Sequence, residues 1–275
     1  MSKLRKGLNW IGDVVQVLIL DRLDPARKTV SQQASTACRA IKFHAHSKIV
    51  QLDLREVVAR LGGEKISTVS LPGPSTDLGD VGSQVTYHAL ASIVQALRPK
   101  TILEIGTYLG VSAYTMALNA PGNCQIFTVD LPDDASARAD HELNAIDSGH
   151  ITSSRHRVGD AFLGSPVQKQ ITQIREDSMT FRAEKWLNDA DLVYVDGGHS
   201  LPLVTKDTEN AFRVLSPTGT IIWDDYFHLY PDVVRFLNET SERLPLHGIK
   251  GTNYVVYSRR WNREDRHRVR DKGLP

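Results

Sequence analysis

From residue 84 onward the chain alternates between two apolar patterns, and this alternation constrains the fold more than any other feature. Short apolar runs typical of buried strands recur between segments whose apolar residues have helical spacing. Strands alternating with helices predict a mostly parallel sheet covered by helices on both faces. The expected strands are 101–105, 124–130, 155–158, 191–196 and 220–224, with a closing hairpin at 249–257; the expected helices are 84–97, 111–118, 135–146, 166–174, 201–215 and 231–243.

The residues before this α/β unit predict a helical appendage. Apolar residues recur at helical spacing over 8–18, and a second helix is expected at 52–61, ended by Gly62 and Gly63. The appendage is expected to cover the substrate or to form a contact between two copies of the chain in a homo-oligomer. The predicted division is an appendage at 1–79, a core domain at 80–258 and a charged, Arg-rich tail at 259–275.

Composition is that of an ordinary globular protein and argues against several functions. Of the 275 residues, 33 are Lys or Arg and 32 are Asp or Glu, so the net charge is +1. This balance creates no field that would attract nucleic acid or an anionic membrane. No apolar run reaches the ~18 residues that a membrane-spanning helix needs. The two cysteines, Cys38 and Cys124, form no disulfide framework, which favours a reducing, cytoplasmic location.

A glycine-containing turn follows the first expected strand of the core. Its sequence is Glu104-Ile-Gly-Thr-Tyr-Leu-Gly110, in which Gly106 permits a tight turn and close approach of a ligand to the backbone. The turn lacks the Gly-x-Gly-x-x-Gly pattern of dinucleotide-binding proteins and the Lys of a nucleotide P-loop. A carboxylate at Glu104 would repel a pyrophosphate, so the turn favours a cationic ligand.

Two further acids lie where the next strands are expected to end. Asp130 ends the second strand, where a carboxylate can accept two hydrogen bonds from a ribose diol. Asp160 follows the third expected strand and is placed to accept from an adenine amino group. Together with the glycine turn, these acids predict a cationic adenosine ligand, S-adenosylmethionine. The expected cofactor-binding residues are Glu104, Gly106, Thr107, Gly110, Asp130, Asp160, Ala161 and Asp196.

These residues resemble the class I S-adenosylmethionine-dependent methyltransferases over roughly residues 80–258. The family implies a Rossmann-like seven-stranded sheet whose last strand is antiparallel, which agrees with the closing hairpin. In the family the glycine loop wraps the methionine part of the cofactor, and the acid after the second strand holds the ribose. Those roles fall on Glu104, Gly106, Gly110 and Asp130, whereas Tyr108 departs from the family's second glycine.

A second group of acids follows the next two expected strands. Asp196 and His199 lie in Asp196-Gly-Gly-His199, and Asp224 and Asp225 follow the strand at 220–224. Adjacent parallel strands bring their carboxyl ends together, so these carboxylates are expected to converge and repel one another. A cation that prefers oxygen ligands, such as Mg²⁺, Ca²⁺ or Mn²⁺, relieves this repulsion. A histidine, with a reference pKa of about 6.5, can accept a proton beside it.

This pairing resembles the metal-dependent O-methyltransferases, most closely the macrocin and cephalosporin-tailoring type. There an Asp-x-x-His motif supplies a metal ligand and the general base, and a following acidic pair supplies two more ligands. The resemblance therefore implies metal ligation by Asp196, Asp224 and Asp225, with His199 as catalytic base. It also implies methyl transfer to a hydroxyl group of a small molecule. Catechol-type enzymes have Lys at the place of His199, which makes them more distant.

Two alternatives remain open on the sequence. A methyltransferase acting on nitrogen or oxygen without a metal would leave Asp224 and Asp225 with structural roles, and its activity would survive a chelator. A nonenzymatic adenosylmethionine-binding protein would bind the cofactor without turnover. A nicotinamide dehydrogenase is disfavoured because the dinucleotide glycine pattern is missing.

Overall fold

In a computed structural model, residues 47–65, 68–73, 81–132, 147–149, 151, 157–185, 187 and 189–261 are described. The described strands are β1 (Val50–Leu52), β2 (Thr101–Ile105), β3 (Gln125–Asp130), β4 (Ile171–Arg175), β5 (Ala190–Val195), β6 (Leu215–Trp223), β7 (His247–Ile249) and β8 (Val255–Ser258). The described helices are α1 (Leu54–Arg60), α2 (Val81–Leu97), α3 (Val111–Asn119), α4 (Leu201–Val214) and α5 (Pro231–Thr240), with 3₁₀ turns at Gln168–Gln170 and Ala183–Lys185.

The eight described strands form one sheet in the order β1-β7-β8-β6-β5-β2-β3-β4. Its pairs are parallel except those of β8, which runs antiparallel to both β6 and β7. From β2 the chain moves outward through β3 and β4 and then returns to β5 on the other side of β2. The strand order therefore reverses between β2 and β5, and such a switch point opens a crevice at the carboxyl ends of the strands.

Both faces of the sheet are covered by apolar packing, because side chains alternate along each strand. On β5, Val193 and Val195 belong to one buried cluster, whereas Leu192 and Tyr194 belong to the other. Residues of α4 and α5 complete the first cluster, and residues of α1, α2 and α3 complete the second. The predicted Rossmann-like sheet with helices on both faces and an antiparallel last strand is thus confirmed.

The sequence prediction is wrong between residues 155 and 175. Residues 157–158 lie in a turn, and β4 replaces the last four residues of the helix expected at 166–174. Val167, Ile171 and Ile174 have the spacing of a helix face, which favoured that prediction. In the structure β4 pairs in parallel with the outer edge of β3, so tertiary hydrogen bonding overrides the local pattern. Asp160 therefore precedes the third core strand and does not follow it.

The sheet also reaches into the region predicted as a helical appendage. The helix expected at 52–61 is confirmed as α1, and Gly62 follows it with a φ of 97°. The preceding strand β1 pairs in parallel with β7 and adds an eighth strand to the seven expected. The domain boundary at residue 79 stays a prediction. The helices expected at 8–18 and 135–146, and the tail beyond residue 261, lie outside the described residues.

Within the described part of the chain, no helix is both long enough and apolar enough to cross a membrane.

Removing core volume from the centre of the sheet will destabilise the fold. Ile222 is fully buried (0% exposed) on β6 between β5 and β8, so Ile222→Ala is expected to lower the free energy of unfolding by about 2–5 kcal/mol. Urea unfolding followed by circular dichroism measures it. The control Val85→Ala, at a residue 45% exposed on α2, is expected to change it by less than about 0.5 kcal/mol. Equal losses in the two variants would contradict this assignment of the core.

Candidate active site

The candidate site lies where β2, β5 and β6 end, at the switch point of the sheet. Backbone pairing continues one residue past two of these strands: the N–H of Asp196 donates to the carbonyl of Ile105 at 2.8 Å, and that of Asp224 donates to Val195 at 3.0 Å. The sheet itself therefore fixes where these two acids begin, at the ends of adjacent parallel strands.

The glycine turn after β2 requires its glycines. Gly106 has a φ of 99°, and a Cβ there would clash with the backbone carbonyl of Asp196. Gly110 has a φ of 83° at the start of α3, where a Cβ would meet the ring of Phe162. The turn after β2 thus lies in direct contact with the turn after β5, with no side chain between them. We call residues 104–110 the glycine loop.

Tyr108 adopts the conformation for which a glycine is usual. Its φ is 47°, in the left-handed region, and its side chain is 43% exposed. Non-glycine residues are uncommon there, which explains why the family pattern has a glycine at this place.

Glu104 is a fully buried carboxyl group at the base of the glycine loop. Thr128 donates its hydroxyl hydrogen to Oε2 of Glu104, whereas Oε1 has no hydrogen-bond partner within the described residues. Burial raises the pKa of Glu104 to about 7, against the opposing effect of the Ser112 and Thr128 hydroxyl groups. An unpartnered buried carboxylate oxygen fits a cationic ligand.

Asp130 holds the glycine loop from the end of β3. Its Oδ2 accepts the N–H groups of Thr107 at 3.0 Å and Tyr108 at 2.7 Å, and its Oδ1 accepts that of Leu131 at 2.6 Å. Burial raises the pKa of Asp130, while these backbone bonds and the charge of Arg175 oppose that shift. The predicted ribose contact is untested.

Asp160 and Ala161 lie beside the glycine loop, although not at the end of a strand. Backbone N–H groups of Gly159 and Ala161 donate to the carbonyls of Tyr108 and Leu109, both at 2.9 Å. The side chain of Asp160 pairs with Arg157 at 3.2 Å. This turn therefore borders the glycine loop, and the adenine contact of Asp160 stays a prediction.

Sequence reasoning missed the two acids that follow the third core strand, Glu176 and Asp177. Asp177 lies two residues beyond β4, and its Oδ1 accepts the N–H of Met179 at 2.9 Å. The helical spacing of the isoleucines in β4 hides the strand end that precedes these acids.

Three of the four predicted metal and base residues converge closely. One ligand atom from each of Asp196, His199 and Asp225 lies within 4.8 Å of the other two. Burial and the charges of Asp224 and Asp225 raise the pKa of Asp196 well above its usual range, whereas the charge of His199 opposes the shift. Asp225 has a φ of 61°, a conformation uncommon outside glycine. The carboxylates repel one another, so a positive charge bound between them would stabilise the group.

Asp224 faces away from that group. Its Oδ2 accepts the hydroxyl hydrogen of Tyr194 at 2.6 Å, and its Oδ1 accepts the N–H of Asp225 at 2.7 Å. Burial, followed by the charge of Asp225, raises the pKa of Asp224 to about 7. Tyr194 also lies 3.3 Å, oxygen to oxygen, from Tyr254.

His199 is held on three sides. Its Nε2 lies 2.5 Å from Oδ2 of Asp225, its Nδ1 contacts Oδ1 of Asp147, and its ring stacks on Tyr230 with centroids 4.0 Å apart. The backbone N–H of His199 also donates to Asp147 at 3.1 Å. Burial alone would lower the pKa of His199, but the hydrogen bonds to Asp147 and Asp225 and their charges raise it to about 10.

Sequence reasoning missed Asp147 and Tyr230, and no motif or spacing points to either residue. Asp147 lies in a helical stretch far from His199 in sequence, and Tyr230 immediately precedes α5. Their pairing with His199 depends on tertiary packing alone. The short Asp147–His199–Asp225 chain places one cationic ring between two carboxylates.

Glu104 is expected to make stability depend on pH. Its folded pKa of about 7 exceeds its unfolded value, so the native state binds the extra proton and stability is lost as pH rises through about 7. Because a shift of one pKa unit is about 1.4 kcal/mol, Glu104→Gln should remove a loss of about 3 kcal/mol. Urea unfolding of the wild type and of Glu104→Gln from pH 5 to 9 measures the difference between their free energies of unfolding. The other buried acids contribute equally in both proteins, so their effects cancel. Parallel pH profiles would contradict the burial of this charge.

Comparisons with known proteins find methyltransferases among the proteins similar to this chain. Residues 103–226 match the family model described as "Methyltransferase domain". The O-methyltransferase TomG from Streptomyces achromogenes, solved with SAM, is 14% identical with a TM-score of 0.45, over 80% of this chain and 95% of that one. The SAH-bound methyltransferase PaMTH1 of Podospora anserina is 17% identical with a TM-score of 0.47, over 84% and 97% of the two chains.

No curated protein matches the sequence. The two structural likenesses are weak, so the assignment depends on the family match, which spans the strands from β2 to β6 and the acids at their ends. Residues 103–226 of this chain are therefore similar to a methyltransferase domain, the enzyme class that the sequence predicted.

Proposed function

We propose that this protein transfers a methyl group from S-adenosylmethionine to a hydroxyl oxygen of a small molecule, with the help of a divalent cation. The observation that carries the proposal is the convergence of Asp196, His199 and Asp225 beside the glycine loop. The residues of the glycine loop would bind the cofactor. The negatively charged acids would bind the cation, which in turn would hold the hydroxyl group of the substrate.

The cofactor would lie along the glycine loop. Glu104 offers an unpartnered buried oxygen to the cationic part of the ligand, and Gly106 and Gly110 leave the backbone free of side chains. Asp130 has lone pairs beyond its backbone bonds for a ribose diol. Asp160 beside the loop and Asp177 after β4 are the candidates for the adenine.

The cation would be held by Asp196 and Asp225, with Asp224 reaching it only after leaving Tyr194. Oxygen ligands favour Mg²⁺, Ca²⁺ or Mn²⁺. Burial, followed by repulsion from Asp224 and Asp225, raises the pKa of Asp196, and a dication at this place would offset that repulsion. The donor set therefore fits such an ion.

The reaction breaks the bond from sulfur to the methyl carbon and forms a carbon–oxygen bond, and the hydroxyl proton must leave. When bound, the sulfonium supplies the electrophilic methyl group, and the cation favours ionisation of the hydroxyl and takes up the charge of Asp225. Nε2 of His199 is then the proton acceptor, because Asp147 holds Nδ1. Without a cation to bind Asp225, His199 stays protonated at neutral pH. A protonated imidazole cannot accept the proton of the substrate.

One observation favours a metal-free methyltransferase instead. The cationic ring of His199 already lies between Asp147 and Asp225, so the carboxylates have a counter-ion without a metal. In that case His199 would serve as the fixed charge of the site and not as its base. A chelator separates the two candidates, because only the metal-dependent reaction stops.

Neutralising either proposed ligand should abolish metal-dependent catalysis. Asp196→Asn and Asp225→Asn are each expected to weaken Mn²⁺ binding and methyl transfer at least about 100-fold, a loss typical of essential charge stabilisation. Calorimetry with Mn²⁺ measures the first, and release of S-adenosylhomocysteine over a panel of catechols, vicinal diols and hydroxy-carbonyl compounds measures the second.

The matched control is Glu242→Gln, which removes an exposed carboxylate that follows the C-terminal end of α5 and pairs with Lys48. It should bind Mn²⁺ and turn over like the wild type. Methyl transfer that persists in a chelator, or in Asp225→Asn, would rule out the metal-dependent mechanism.

A further inference from the structure

Thr128 is a fully buried hydroxyl-bearing residue that the mechanism above does not use. It lies on β3 and is 0% exposed. Glu104 is its partner in the register of β2 and β3, so the two side chains lie on the same face of the sheet. Ile102 and Ile126 on that face belong to an apolar cluster. A valine has nearly the same shape and would need no hydrogen bond there, so packing alone does not explain a threonine.

The Thr128 hydroxyl group connects Glu104 to the glycine loop. It donates its hydrogen to Oε2 of Glu104, and its oxygen lies 2.6 Å from Oγ1 of Thr107. A hydroxyl group has one hydrogen and accepts through its lone pairs. Because the hydrogen of Thr128 goes to Glu104, Thr107 is the donor to Thr128. The two hydroxyl groups therefore form a chain with one direction, from Thr107 through Thr128 to the carboxylate.

The same chain ties the glycine loop to β3. The backbone N–H of Thr107 donates to Oδ2 of Asp130 at 3.0 Å, and its hydroxyl group bonds to Thr128, two residues earlier on that strand. Thr107 directly follows Gly106, where the loop touches the turn after β5. Loss of the Thr128 hydroxyl group would thus remove one of these two hydrogen bonds between the loop and β3.

The hydrogen bond from Thr128 also distinguishes the two carboxyl oxygens of Glu104. Oε2 is occupied by the Thr128 hydroxyl group, whereas Oε1 is buried and has no hydrogen-bond partner in the part of the chain that the structure describes. A buried polar atom without a partner destabilises a protein unless a ligand satisfies it. Thr128 therefore fixes the carboxyl group with one oxygen left for a ligand.

The titratable groups around Glu104 offer it no positive charge. Those whose charges interact with the charge of Glu104 are Asp130 on β3, Asp196 after β5 and Tyr87 on α2, each neutral or negative. Burial raises the pKa of Glu104 to about 7, and the hydrogen bond from Thr128 opposes that shift because it stabilises the ionised form. The ionised form is the one that a cationic ligand binds.

We propose that Thr128 is a positioning residue for cofactor binding: it holds Oε2 of Glu104 so that Oε1 receives the positive charge of S-adenosylmethionine, and it joins that contact to the glycine loop through Thr107. Because Thr128 is fully buried, it acts through these two residues and not on the cofactor itself. The role rests on the proposed function, since it needs a cationic cofactor beside Glu104.

Thr128→Val removes the hydroxyl group and keeps the shape of the side chain. It should weaken binding of S-adenosylhomocysteine, whose ammonium group is cationic, about tenfold at neutral pH, because a hydrogen bond to a charged group is lost. Affinity should rise as Glu104 ionises, and the midpoint of that rise should move up by about one pH unit. Thr128→Ser restores the hydroxyl group and should bind within about twofold of the wild type. Calorimetry from pH 5 to 9 measures these affinities.

Thr220→Val is the matched control in the same sheet. Thr220 is also a fully buried strand threonine, and its Oγ1 lies 2.9 Å from Oγ of Ser258 on the neighbouring strand β8, in a pair without a carboxylate. This substitution should lower the Tm but leave the S-adenosylhomocysteine affinity and its pH midpoint unchanged. If Thr128→Val has the same effects as Thr220→Val, Thr128 is structural and the proposal is overturned.

The contact between Thr128 and Glu104 can be tested without any ligand. Thr128→Val raises the folded pKa of Glu104 further above its unfolded value, so the loss of stability with rising pH should extend about one pH unit higher than in the wild type. In the Glu104→Gln background the same substitution should leave the pH profile of urea unfolding unchanged. Equal shifts in the two backgrounds would refute the contact.

Failure of the proposed function gives a different result. The wild type itself would then bind no S-adenosylhomocysteine, and the cofactor role of Thr128 would be rejected together with that function. The urea profiles would still report the hydrogen bond. Unchanged affinity in Thr128→Val, with binding by the wild type intact, overturns the positioning role alone.

Discussion

Repulsion among carboxylates crowded at the ends of β2, β5 and β6 is the constraint on which the rest of the site depends. The parallel sheet has no freedom to separate Asp196 from Asp224, because ladder hydrogen bonds fix the backbone of both. Each neighbouring group then compensates in its own way. Tyr194 donates to Asp224, and His199 lies between Asp225 and Asp147. The cationic ligands that we propose continue the same compensation.

The sequence predicts the fold well where local pattern and tertiary pairing agree. The strands at 101–105 and 191–196 are short apolar runs in the centre of the sheet, and their ends follow from the acids and glycines after them. The strand at 171–175 is different, because its isoleucines have helical spacing and only the free edge of β3 makes it a strand. The apolar pattern of a segment does not show which strand edge is free to pair with it.

The site was predictable to the extent that strand ends determine it. Asp196, His199 and Asp225 meet because adjacent parallel strands end at one edge, and residue order alone gives that. Side-chain direction is a different matter: Asp224 faces Tyr194, and Asp147 reaches His199 from a distant segment. Those contacts depend on rotamers and on helix packing, which residue spacing leaves undetermined.

The direct contact between Gly106 and the carbonyl of Asp196 has a consequence for redesign of this protein. Two backbones that touch without an intervening side chain have no soft element to absorb a displacement. Mutations intended to retune acceptor preference around residues 197–200 will therefore disturb donor affinity as well. Variation in selectivity should be sought at exposed positions outside both turns, such as Leu163, which can change shape without transmitting strain across that junction.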